Sequence, residues 1–208
     1  MISMRISKKA LDNINDWMEQ RDDIPSGWIY LGDDKERYVL GQPGKINMLV
    51  FGVNPSTAKP GENNLDPTIK KTRKLIYEET ECDGWIMVNL YPIRATNPDD
   101  LPEVEDKNLL EKNIKVIKAV VASYPILRAW AAWGDAIDKR FYLGDTLYDI
   151  AEETSHGKGS DFEWCYRGSM TKHHNPRHPL YMKKGEEFHW FAVSDYAANW
   201  RYADTGLW

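Results

Sequence analysis

Residues 46–58, INMLVFGVNPSTA, decide how the chain is read. Ile46 to Val53 is almost continuously apolar, as in a central parallel strand covered on both faces. It then runs into Asn54-Pro55-Ser56-Thr57, three short polar side chains around a proline. A buried strand that ends on amide and hydroxyl groups fits a sheet with a ligand site at its carboxyl edge.

The flanking segments repeat the pattern. Asp66-Pro67 supplies a helix cap and a first-turn proline, so a helix is expected from Pro67 to about Thr80. GWIMVNLY (84–91) reads as a second buried strand. Residues 107–122 place Leu110, Ile114, Ile117 and Val121 on one stripe, a further helix. ILRAWAAWG (126–134) is a third strand, and a shorter helix is expected over about 146–153. HGKGSD (156–161) reads as a loop and FEWCYRG (162–168) as a fourth strand. FHWFAVSDYAANW (188–200) is open between strand and helix. Upstream, Ser7 caps an expected helix to about Gln20, and WIYLG and RYVLG around DDKE form a hairpin. Strands alternating with helices predict a three-layer α/β fold with a central, mostly parallel sheet. The 208 residues form one domain. Residues 1–45 are a helix and hairpin extension, and 46–182 are the core.

Composition narrows the function. Apolar content of 42% and charged content of 28% are those of a globular protein. The formal net charge of −5 lacks the basic surplus of a free-standing nucleic-acid binder. Two cysteines provide neither a disulfide framework nor a zinc spacing. With no apolar run of membrane-spanning length and no leader-like start, a cytoplasmic protein without membrane contact is expected. No phosphate-cradling glycine loop and no nucleophile elbow occurs. His173, His174 and His178 lack a supporting metal spacing, so neither a metal nor a cofactor is expected.

Polar side chains gather at the expected strand ends: Asn54, Ser56 and Thr57; then Asn89, Tyr91, Arg94 and Thr96; then Trp133; then Arg177 and His178 in NPRHPLYM (175–182). In a parallel sheet they share one edge. Each has a plainer role too. Asn54, Ser56 and Thr57 suit turns, Asp66 suits a cap, and His178 suits a structural histidine. Arg94 can grip a phosphate with two parallel hydrogen bonds, or pair with a carboxylate such as Asp66.

The blocks RYVLG, VNPSTA, DPTIKKTR, VNLYPIRATNP, AAWG and NPRHPLY, in that order, resemble the family known as domain of unknown function 1643. Asn175 stands where that family usually has glycine. More remotely, the order of features is similar to that of the uracil-DNA glycosylase superfamily. GVNPS resembles the first motif of its mismatch-specific branch, whose Asn positions the attacking water. That resemblance puts Asn54 in this role, Asn89 beside the base, and His178 at the start of the last active-site loop. Ser56 and Leu180 depart from its pattern. It implies a uracil-DNA glycosylase-like domain that recognises a nucleobase or nucleotide, free or in flipped or single-stranded nucleic acid. Hydrolysis of an N-glycosidic bond is the implied reaction. The alternatives are a non-catalytic nucleotide-binding module and a protein-interaction module of phage or defence type.

Overall fold

The structure is a computed structural model that describes residues 24–154 and 161–203. The expected helix over 7–20 and nearly all of the HGKGSD loop lie outside the described residues. Among the described residues, seven strands form one sheet: β1 (Ile29–Gly32), β2 (Arg37–Gln42), β3 (Asn47–Gly52), β4 (Gly84–Asn89), β5 (Ile126–Ala131), β6 (Glu163–Arg167) and β7 (Phe188–Trp190). Their order across the sheet is β1-β2-β4-β3-β5-β6-β7. β4, β3, β5 and β6 run parallel. β2 joins β4 antiparallel and β7 joins β6 antiparallel. The centre is parallel, as the long apolar runs predict, and the two ends are antiparallel. The hairpin is therefore no appendage to a core that starts at residue 46, because β2 hydrogen-bonds directly to β4.

Four helices are described: α1 (Pro67–Glu79), α2 (Lys107–Ser123), α3 (Phe141–Thr154) and α4 (Val193–Ala203). α3 starts before the expected 146, and the ambiguous tail is both things in turn, β7 and then α4. The chain steps from β3 to β4 in one direction, then back across β3 to β5. Because such crossovers are right-handed, the reversal puts the connecting helices on opposite faces. The core divides accordingly. Met48, Val50, Trp85 and Met87 pack with Ile69, Leu75 and Ile76 of α1. Leu49, Phe51, Ile86 and Val88 pack with Val116, Ile117 and Val120 of α2 and Leu143 and Leu147 of α3. All six residues of β3 are buried, which is why that strand reads as almost continuously apolar, with only Asn47 polar.

Candidate functional site

β3 has β4 on one side and β5 on the other, so the sheet's direction of growth switches there. Crevices at such switch points, beyond the carboxyl ends of the strands, are where open α/β sheets bind ligands. Beyond β3 the chain enters Asn54-Pro55. The Asn54 Nδ2 donates to the carbonyls of Pro55 (3.1 Å) and Ala95 (2.7 Å). Two carbonyl partners fix which terminal atom is nitrogen, so Oδ1 is the acceptor, and it has no partner among the described residues.

Three residues beyond β5, Gly134 lies in the left-handed region at φ 62°. A Cβ there would lie 3.0 Å from the His178 Cβ, so glycine lets the two segments touch. The Gly134 N–H donates to the Pro176 carbonyl at 2.9 Å and holds the 175–178 segment on the end of β5. The His178 Nδ1 accepts from the Leu180 N–H at 3.4 Å, which places the ring proton on Nε2. Burial lowers the imidazole's pKa, against a smaller opposing pull from Asp66, so a neutral ring with an Nε2–H donor is expected near pH 7.

An open cleft of about 270 Å³ lies beside this edge, lined by Ser56, Thr57, Arg94 and Thr96, with the Asp34–Lys59 ion pair on its rim. Arg94 is fully engaged. Its Nε donates to the Asp33 carbonyl (2.9 Å), Nη1 to the carbonyls of Ser56 and Ala58, and Nη2 to the Tyr30 hydroxyl (2.8 Å) and Ala58. The five donors of a guanidinium are thus taken. The expectation of a phosphate fork at Arg94 gives way to the bracing role, with carbonyls as partners instead of Asp66.

Asp66 caps α1, its carboxylate accepting from the Ile69 N–H at 2.9 Å. Asp66→Ala should cost about 1 kcal/mol, measurable by urea denaturation. A loss of ligand binding with unchanged stability would instead assign Asp66 to the site. Two other expected residues face away from the cleft. The Tyr91 ring packs on Tyr142 and its hydroxyl accepts from the Asp106 N–H. Trp133 is buried among Trp164, Phe191 and Tyr196 on the α2 side. Arg177 is half-buried next to His178.

Asn89 ends β4 with its side chain on the α1 side. A Cβ on Gly52 would lie 2.9 Å from the Asn89 Oδ1, so glycine in the paired position on β3 makes room for the amide. Asn89 is fully buried, and neither Oδ1 nor Nδ2 has a partner among the described residues. Other enclosed polar atoms without partners lie on the same side of the sheet: Arg37 Nε, Thr72 Oγ1, Trp130 Nε1, and Nε and Nη1 of Arg167. Native interiors leave few such atoms, so their concentration there marks that layer.

Three buried polar residues here are marked as part of the site by no local sequence signal. Asn113 of α2 donates to the carbonyls of Asn89 and Leu90 and secures the end of β4. Asn175 donates to Asp135 and Asp138 and accepts from the Tyr196 hydroxyl, anchoring the loop that carries His178. Arg37 opens β2, where a charged residue reads as a solvated strand start, yet it is only 2% exposed.

The model of the family described as Protein of unknown function (DUF1643) matches residues 37–180, more than two thirds of the chain. The chain belongs to this family. The match starts at Arg37 and ends at Leu180, so it takes in β2 through β6, the cleft residues from Ser56 to Thr96, and His178. No curated protein and no solved structure matches the chain. Among the described residues, no helix is long and apolar enough to cross a membrane.

Proposed function

We propose that this protein recognises a nucleobase or nucleotide at the carboxyl ends of β3, β4 and β5, and that Asn54 and His178 serve hydrolysis of its N-glycosidic bond. The observation that carries the reading is Asn89. A buried amide with both ends unsatisfied is costly, and a base edge that presents one donor and one acceptor satisfies both at once. Asn89 is enclosed in this conformation, so the groups covering it move when a base enters. Breaking a glycosidic bond needs a positioned water and a donor for the departing base. The free Oδ1 of Asn54 is an acceptor for the water, and the His178 Nε2–H is a donor for the base.

The net charge of −5 favours a nucleotide or a short single strand over duplex DNA. The reading is tested by melting-temperature shifts with uracil, uridine and uridine 5′-monophosphate, and by chromatography of the products after incubation. Expected are binding that Asn89→Ala weakens at least tenfold and hydrolysis that Asn54→Ala removes without loss of binding. Binding untouched by Asn89→Ala overturns the base pocket. Binding without hydrolysis in the wild type leaves a non-catalytic binding protein. The engagement of the Asn54 NH₂ in closing its own loop favours that second reading.

A further inference from the structure

Among the described residues, two arginines are buried to 2% exposure or less, and their surroundings differ. Arg167 at the end of β6 has the Glu79 carboxylate at 2.6 Å and the Phe188 ring beneath it. Among the described residues, Arg37 has no carboxylate within ion-pair distance and makes one side-chain hydrogen bond, from Nη1 to the Ala58 carbonyl at 3.2 Å. Its Nε is enclosed without a partner. Asp66 attracts it from beyond ion-pair distance and is already engaged in capping α1. The second guanidinium, Arg94, donates to the same Ala58 carbonyl, so two cations meet there. Burial first, and then Arg94, lower the Arg37 pKa to about 10, which still leaves it charged at neutral pH.

A buried cation without a counter-ion is among the costliest arrangements in a protein interior, and proteins keep it where something else supplies the negative charge. Position says where that charge enters. β2 runs antiparallel to β4, so Arg37 lies at the carboxyl end of β4, the end that carries Asn89. Through Ala58 it backs onto Arg94, which lines the open cleft. The Nε and Nη2 edge of a guanidinium matches two oxygens of a phosphate or carboxylate.

We propose that Arg37 is the oxyanion-binding residue of this site, and that the natural ligand carries a phosphate or carboxylate that seats on its Nε and Nη2 edge. The inference takes its location from the nucleotide reading and makes the ligand an anionic one, a nucleoside monophosphate rather than a nucleoside. Arg94, with its donors occupied, holds the loop against which the anion docks and adds a second positive charge behind it.

The test uses the full chain and four probes: inorganic phosphate, acetate, uridine and uridine 5′-monophosphate. Binding is followed by melting temperature and by calorimetry in wild type, Arg37→Met and Arg37→Lys. In the wild type, phosphate or acetate should raise the melting temperature, and which of them does so identifies the oxyanion. If it is phosphate, the monophosphate should bind at least tenfold more tightly than uridine. Arg37→Met should abolish the anion response and leave uridine affinity within about twofold. Without ligand, this variant should melt at or above the wild-type temperature. It removes an unpaired buried charge, and the Ala58 carbonyl keeps its bonds from Arg94. If Arg37→Met does not fold, Arg37→Lys retains the charge without the fork and should weaken anion binding about tenfold. A wild type that responds to neither anion overturns the proposal, and so does a folded variant that keeps the full response. An Arg37-dependent anion response in a protein that ignores uridine, with Asn89→Ala silent, leaves this inference standing and removes the nucleobase reading alone.

Discussion

Arg94→Ala should lower stability by about 2–4 kcal/mol, on the scale of losing several hydrogen bonds to a charged group. The guanidinium joins three segments that are far apart in sequence: the β1–β2 turn through Asp33, the loop after β3 through Ser56 and Ala58, and its own segment beyond β4. Removing it leaves the Ser56 carbonyl without its side-chain donor, and leaves the Asp33 and Ala58 carbonyls with one side-chain bond each, from the Tyr30 hydroxyl and the Arg37 Nη1. The backbone pair from the Arg94 N–H to the Lys35 carbonyl, at 2.8 Å, remains but has to hold the turn alone. In a chain of this size each kcal/mol moves the melting temperature by about 2–4 °C, so a fall of roughly 5 °C or more is expected. Arg94→Lys should recover little of it, since an ammonium cannot reach divergent acceptors in one plane. A variant that melts with the wild type would show that the carbonyls have adequate partners without Arg94. The guanidinium would then be available to a ligand.

Breaking the Arg167–Glu79 pair should cost more than any single change in the cleft. Glu79→Ala leaves a fully buried guanidinium next to Lys183 and Phe188 with no counter-charge, and it also takes the acceptor of the Gly185 N–H. Losses on removing one partner of a buried pair run to about 3–5 kcal/mol. Arg167→Met should cost much less, because it deletes the charge that needs compensation. The pair also sets an acid limb to stability. The Gly185 N–H and then Arg167 hold the Glu79 carboxyl below its ordinary value. A group whose folded pKa is depressed contributes fully above the unfolded value, near 4.5, and loses that contribution as pH falls through the lower folded value. Urea denaturation in the pH range just below 4.5 should therefore show a steep loss in the wild type that Glu79→Gln flattens. Parallel pH profiles for the two proteins would remove the pair from the account of acid sensitivity.

Much of the architecture was legible because it is local. An apolar run with both faces covered has to be a central strand, and Asp66-Pro67 can cap one helix start and little else. β3, β4 and β5 therefore appear as parallel neighbours where the runs at 46–53, 84–91 and 126–134 put them. The carboxyl edge was legible for the same reason, since polar residues that end buried strands of a parallel sheet share one side. Facing direction was not, because the two-residue alternation that fixes it inside a strand lapses where the strand ends. Asn89 goes to the α1 side with Gly52 beneath it, whereas Tyr91 and Trp133 go to the α2 side and join its core. Long-range pairing was equally hidden. Nothing local in RYVLG says that it hydrogen-bonds to β4, and only that pairing turns Arg37 from a solvated strand start into a buried cation at the candidate site. Arg94 shows the same limit. Sequence supplies a guanidinium with five donors, but whether a phosphate or a set of carbonyls receives them depends on where the 33, 56 and 58 carbonyls are brought, and tertiary packing alone decides that.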